Sequence, residues 1–204
     1  METEINITNY PPLLQTFYQK PTLILAKSLL GCLLIKQTPE GTTAGVITET
    51  EAYLGPDDRA AHSFGNRRTK RTEIMFGEPG MTYTYSMHTH CLFNVVSGPV
   101  HRPEAVLIRS VEPFFNLDLI SNRRQKVKTM QQWTNGPGKL TKAMGITMGD
   151  YGHQLDSPPL WIAPRLDADS FEIASGPRIG IDNAGEARDY PWRFWITGNQ
   201  FISK

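Results

Sequence analysis

The 204-residue sequence predicts an α+β fold, a curved and mostly antiparallel sheet with helices packed on it. Three features predict it. Short runs rich in β-branched and aromatic residues recur between turn formers, one strongly apolar helical stretch opens at Pro21, and no repeat, low-complexity tract or linker divides the chain. Residues 1–204 therefore read as a single domain.

Pro21 sits at the first-turn position that tolerates a missing N–H, and the helix it opens, 22–30, carries Leu23, Leu25, Ala26, Leu29 and Leu30 on one face before Gly31. Residues 32–36 and 44–52 read as a strand pair across the Pro39-Glu40-Gly41 turn. Leu54 to Asp58 is a turn, and Asp57 or Asp58 is placed to cap a short helix carrying Ala60, Ala61 and His62. The basic run 67–71 reads as a loop. Further strands are expected at 81–85, 92–96 and 105–111, a helix at 138–144, and short strands at 160–163 and 193–197 in a tail rich in Pro and Gly.

At 39% hydrophobic and 20% charged, the composition is that of a globular chain with enough material for a sizeable core. The most apolar stretch, 22–35, is broken by Lys27 and Gly31 and falls short of the roughly 20 residues a membrane helix needs. Met1 to Tyr10 carries Glu2 and Glu4 but no Lys or Arg, so neither a secretory nor a transit peptide is indicated and a cytoplasmic protein is expected. Cys32 and Cys91, two cysteines without C-x-x-C spacing, read as reduced thiols in or near the core.

The net charge of +1 conceals a segregation: residues 59–142 hold 13 Lys/Arg against 5 Asp/Glu, and the remainder 8 against 15. Such a division suits a protein with one face turned to a polyanion.

The densest chemistry lies at Glu49-Thr50-Glu51-Ala52-Tyr53 and Ala60-Ala61-His62-Ser63. Alternate residues of a strand share a face, so Glu49, Glu51 and Tyr53 point one way. Val46 and Ile47 just before them tie that strand to the core, which puts the acidic groups at the border of a cleft. Tyr83 and Tyr85 likewise share a face, and tyrosine rings suit a flat base: stacking contributes roughly 1–3 kcal/mol per base, with a further cation–π gain for a charged ring.

Glu49 to Gly55, Ala60 to Ser63, Met75-Phe76, Pro79-Gly80, Tyr83-x-Tyr85, Asn94-Val95, Val106 to Arg109, Gly136-Pro137-Gly138-Lys139-Leu140 and Gly176-Pro177-Arg178-Ile179-Gly180 resemble, in order, the motifs of the alkyladenine (3-methyladenine) DNA glycosylase family. The resemblance spans 16–203 and is to the compact bacterial form, without a long N-terminal extension. It implies excision of alkylated or deaminated purines flipped out of double-stranded DNA, with no metal or cofactor, by a chain expected to act as a monomer. By the same resemblance Glu51 is the general base that activates water, with Glu49 beside it in a supporting role; Arg109 and the Ile179 carbonyl surround that water. Tyr53 stacks on one side of the base, His62 and Tyr85 on the other, Asn94 crowds the 2-amino group of guanine, and Lys139 meets a phosphate.

A purine must leave the duplex before its glycosidic bond is reachable, and flipping costs least for a damaged base. Glu51 is then expected against the sugar, and the lack of a lysine beside it predicts hydrolysis without strand-cleaving lyase activity. The family usually wedges a tyrosine into the vacated gap. Here the matching hairpin reads Ser86-Met87-His88-Thr89-His90, one residue shorter, and His88 is the candidate wedge with Met87 second. Arg67, Arg68, Lys70, Arg71, Lys139 and Lys142 are the expected phosphate contacts, with Arg123, Arg124, Lys126 and Lys128 a further basic cluster. Two rival readings remain open on the residues alone: a noncatalytic nucleic-acid-binding module, and a small-molecule glycosidase using Glu49 and Glu51 as a carboxylate pair.

Overall fold

In the computed structural model, which describes residues 7–125, 127–165 and 171–203, two short helices open the chain: α1 (Gln15–Tyr18) and α2 (Thr22–Ser28). Lys126 and the first six residues, both used in the sequence reading, lie outside the described residues. Helix α2 stops two residues earlier than expected: the Leu30 N–H bonds to Lys27 in a tightened turn and Gly31 adopts a left-handed φ of 82°, after which the chain turns into the sheet.

Strands β1 (Leu33–Thr38) and β2 (Gly41–Tyr53) form the expected hairpin, β2 being 13 residues long. A second hairpin joins β3 (Thr82–Met87) to β4 (His90–Ser97), and β5 (Glu104–Phe115) returns beside β4. Helices α3 (Leu117–Arg123), α4 (Gln131–Thr134) and α5 (Pro137–Met144) follow, then β6 (Asp156–Ser157), β7 (Leu160–Ala163), β8 (Ile173–Gly176) and β9 (Arg193–Ile196).

Among the described residues every strand pairing is antiparallel, in the order β3-β4-β5-β2-β1-β7-β6, with β9 joined to β2 and β8. The fold is α+β, as the sequence predicts. Along one edge of β2, β1 pairs through Val46 and β9 takes over from Glu49, while β5 runs along the other edge. Glu49 and Glu51 thus lie where the sheet changes neighbours. The β2·β5 register also slips twice there: Thr48 has no partner between Ile47 and Glu49, and Arg109 has none between Ile108 and Ser110. An extra residue on each strand bends the pair and re-aims side chains, here the Arg109 guanidinium.

Period-two alternation divides the sheet faces. Ile47, Phe93, Val95, Val106 and Ile108 turn toward α2 and α5, packing with Leu25, Leu29, Leu140 and Met144 in the main core. At about 1.5–3 kcal/mol per fully buried aliphatic or aromatic side chain, this layer holds the helices to the sheet. The alternate residues Tyr83, Tyr85, Leu92, Val96, Ala105 and Leu107 form a second apolar surface on the opposite face, with Met75.

Two expectations need correction. No helix forms at 60–62; the chain makes 3-10 turns at Gly55–Asp57 and Phe64–Asn66, because both Asp58 oxygens bind Arg178 as well as the Leu54 and Ala60 amides. Strand β5 continues past Val111 to Phe115, following the full length of β2. Cys32 is buried and Cys91 half-buried; both are free, and burial pushes each thiol up to about 11. No helix among the described residues is long and apolar enough to cross a membrane.

Candidate active site

The second apolar face floors a cleft of about 510 Å³. Tyr83, Tyr85 and Met87 reach it from β3, Leu92 and Asn94 from β4, Ala105, Leu107 and Arg109 from β5, and Tyr53 from the end of β2, each set two residues apart as a strand requires. His62 forms part of the wall, the segment 179–184 another, and Pro137 brings in the start of α5.

At one end lies a buried charge network. Glu51 Oε1 accepts the Ile179 amide N–H at 2.8 Å and pairs with Arg109 Nη1 at 3.1 Å; Oε2 accepts the Tyr53 hydroxyl at 2.8 Å. Arg109 Nε reaches Glu49 at 3.1 Å, and Glu49 also accepts from Arg193 Nη1 and from the Ser203 hydroxyl and amide. Both glutamates are fully buried, which charge pairing and these hydrogen bonds make tolerable. Burial works against the Arg109 charge, yet Glu51 and Glu49 together hold the guanidinium above its ordinary value.

Glu51 was expected to lie open to the sugar. It does not line the cleft; its three partners Tyr53, Arg109 and Ile179 do. Ile179 meets it through its amide N–H.

The aromatic wall is tightly specified. His62 stands perpendicular to Tyr85, with ring centroids 4.6 Å apart, and His62 Nδ1 lies 2.8 Å from the Tyr83 hydroxyl. Burial, then the nearby Arg71 and Arg67 charges, lower the His62 pKa to about 4. Burial also raises the Tyr83 and Tyr85 hydroxyls. Asn94 Nδ2 donates to the Tyr83 carbonyl at 3.0 Å, pinning the amide across the β3·β4 pair.

Arg178, inside the Gly176–Gly180 motif, has a role that its local sequence does not reveal. Its guanidinium grips Asp58 with two parallel hydrogen bonds, donates to the Ala52 and Ala187 carbonyls, and lies over Tyr53 at 4.6 Å from the ring centroid and over Trp192 at 5.0 Å. A planar fork that stacks while bonding bidentately is a task for arginine and not lysine. Arg178 thereby fixes the Tyr53 ring, and as the neighbour of Ile179 it anchors both uncharged donors to Glu51. Arg193 and Ser203 were likewise missed; nothing in their local sequence marks them, since their partner Glu49 is supplied by the fold.

The basic residues divide. Arg67, Lys70, Arg71, Lys139 and Lys142 are exposed, and Arg71 reaches within 5.4 Å of the Tyr85 ring centroid at the cleft. Arg68 is exposed but bound to Glu73 at 2.5 Å. Arg123 turns inward to Glu40 and Thr38, and Arg124 is half-buried, with burial lowering its pKa. The β3–β4 hairpin turns through His88 and Thr89, both left-handed with φ of 46° and 69°; Met87 at its base lines the cleft, and His90 packs so tightly on Gly138 that a Cβ there would sit 2.7 Å from the His90 Cβ. The hairpin tip, the cleft and the start of α5 with Lys139 are therefore contiguous.

A family model described as methylpurine-DNA glycosylase matches residues 16–200. The chain belongs to this family. A protein of Bacillus licheniformis provisionally named 3-methyladenine DNA glycosylase is 63% identical over 96% of this chain and 98% of its own. A Bacillus subtilis protein of the same provisional name is 60% identical over 95% and 97%, and one from Listeria monocytogenes 46% identical over 92% and 89%. Membership makes the chain a DNA glycosylase, a DNA-repair hydrolase of N-glycosyl bonds. The reading as a noncatalytic binding module is thereby set aside.

Proposed function

We propose that the cleft takes up an alkylated or deaminated purine flipped from duplex DNA and that the chain hydrolyses its N-glycosidic bond, leaving an abasic site without cutting the strand. The observation that carries this reading is the adjoining of an aromatic cleft with room for a base and a buried carboxylate held by Arg109, Tyr53 and Ile179.

As the bond to the purine breaks, the sugar becomes oxocarbenium-like, and the Glu51 carboxylate stabilises that charge and takes up the proton of the attacking water. Tyr53, backed by Arg178, offers a stacking surface opposite His62 and Tyr85. With its pKa lowered to about 4, His62 is neutral near pH 7 and itself adds no positive charge against a cationic alkylated purine. Asn94 narrows the floor against a guanine 2-amino group. The exposed cations Arg67, Lys70, Arg71, Lys139 and Lys142 meet phosphates and His88 fills the vacated gap, with Met87 as the next candidate; Arg68 is the weaker phosphate contact because Glu73 already holds it.

Glu51→Gln tests the reading, because it keeps the shape and one acceptor oxygen but removes the base. Positioned general bases contribute roughly 10²–10⁴-fold. The variant is expected to bind lesion-containing duplex as the wild type does and to release hypoxanthine or 3-methyladenine at least about 100-fold more slowly. Wild-type base release by this variant would remove Glu51 from the mechanism.

A further inference from the structure

Glu51 is fully buried, and both of its oxygens are occupied by donors that themselves line the cleft. A water in the cleft therefore meets Arg109, Tyr53 or Ile179 before it meets the carboxylate. Of these three, the Arg109 guanidinium carries no free lone pair and an amide N–H does not exchange its proton during a reaction step. Only the Tyr53 hydroxyl, 2.8 Å from Glu51 Oε2, both accepts and donates a proton.

We propose that the Tyr53 hydroxyl is a catalytic group, the conduit by which the proton of the attacking water reaches Glu51, in addition to its ring being a stacking surface. The inference rests on the glycosylase reading above. In the step, the water oxygen forms its bond to the anomeric carbon while the glycosidic bond breaks and its electron pair leaves with the purine. One water proton passes to the Tyr53 oxygen as the phenolic proton passes to Glu51 Oε2. The sugar gains a hydroxyl, Tyr53 ends as it began, and Glu51 ends as the neutral acid.

Several features hold the hydroxyl in place for this. Tyr53 and Glu51 lie two apart on β2, so the short bond is built into the strand. Arg178, itself gripped by Asp58, lies over the ring and keeps it from swinging away. Burial and the neighbouring Glu51 charge raise the Tyr53 pKa well above its ordinary value, so the phenol stays protonated and passes its proton on without forming a free phenolate.

Tyr53→Phe removes the hydroxyl, and with it one donor to Glu51 Oε2, and leaves the ring. Single-turnover release of hypoxanthine from a duplex and the affinity for a duplex bearing an uncleavable abasic analogue are measured together, with E51Q in parallel. A conduit predicts a fall in the rate constant of at least about tenfold, within the range of general acid–base effects, with affinity unchanged within about threefold. A rate within twofold of the wild type, or a faster one, overturns the proposal: the hydroxyl then merely covers Glu51. An equal loss of affinity and rate also overturns it, since the hydroxyl would then serve binding. If E51Q itself releases base at the wild-type rate, the underlying reading fails; if E51Q is inactive and Y53F is not, only the conduit fails.

Discussion

At the scale of single residues, the site is governed by which charges are kept and which are suppressed. Arg109, Tyr53 and the Ile179 amide allow Glu51 to be buried, whereas His62 is pushed toward neutrality by burial and by Arg71 and Arg67. Its folded-state pKa of about 4 lies below the ordinary value of 6.5, so the unfolded chain binds more protons between those limits. Stability from this residue is complete above about pH 6.5 and is lost as pH falls toward 4. His62→Gln is thus expected to flatten the rise of the urea midpoint from pH 4 to 6.5 relative to the wild type. Parallel curves would show that His62 does not titrate in this way. Glu51, Tyr53 and His62 were legible as candidates because they crowd a short stretch of sequence with unusual chemistry. Arg193 and Ser203 were not, because each acquires its meaning only from Glu49, more than a hundred residues away in the chain.

At the scale of elements, strands carried the information best. Alternation in β3 put Tyr83 and Tyr85 on one face, and both line the cleft, since a pleated strand has only two faces. The extra residues at Thr48 and Arg109 were invisible, because a bulge depends on the partner strand as much as on its own. The short helix expected at 60–62 failed for a related reason: the Asp58 side chain is committed to a distant arginine. The hairpin tip, His88–Thr89, is narrow, with both residues in the left-handed region. It presents an imidazole beside the cleft mouth marked by Met87. His88→Ala is expected to slow excision from a fully paired duplex about tenfold or more and less where the lesion is mismatched, as unpairing and unstacking cost a few kcal/mol in the first case and less in the second. Equal effects on both substrates, or none, would pass the wedge role to Met87.

At the scale of the whole molecule, the basic bias of residues 59–142 is carried to the surface by some residues and used up internally by others. Arg109 is buried among carboxylates and Arg123 is bound to Glu40 and Thr38, while Arg67, Lys70, Arg71, Lys139 and Lys142 are among the exposed cations. Lys139 and Lys142, three apart on α5, share a helical face. Each phosphate neutralised contributes about 0.9 to the slope of log affinity against log salt. Replacing Arg67, Arg71, Lys139 and Lys142 together by Gln is expected to lower that slope by about 3.6, alike on damaged and undamaged duplex, in an anisotropy titration. An unchanged slope would place the DNA on another face. Replacing Arg123 and Arg124 is expected to leave the slope alone.

The sequence by itself determined the antiparallel α+β plan, the shared faces of Glu49, Glu51 and Tyr53 and of Tyr83 and Tyr85, and the family, because strand alternation, turn chemistry and short motifs are properties of contiguous residues. Only the tertiary structure decided that Glu51 is buried behind Tyr53, Arg109 and Ile179, that Arg178 and Asp58 brace the tyrosine, and which cations remain free. Burial and ion pairing are settled between residues as far apart as Glu51 and Ile179, 128 positions along the chain, and no local pattern encodes them.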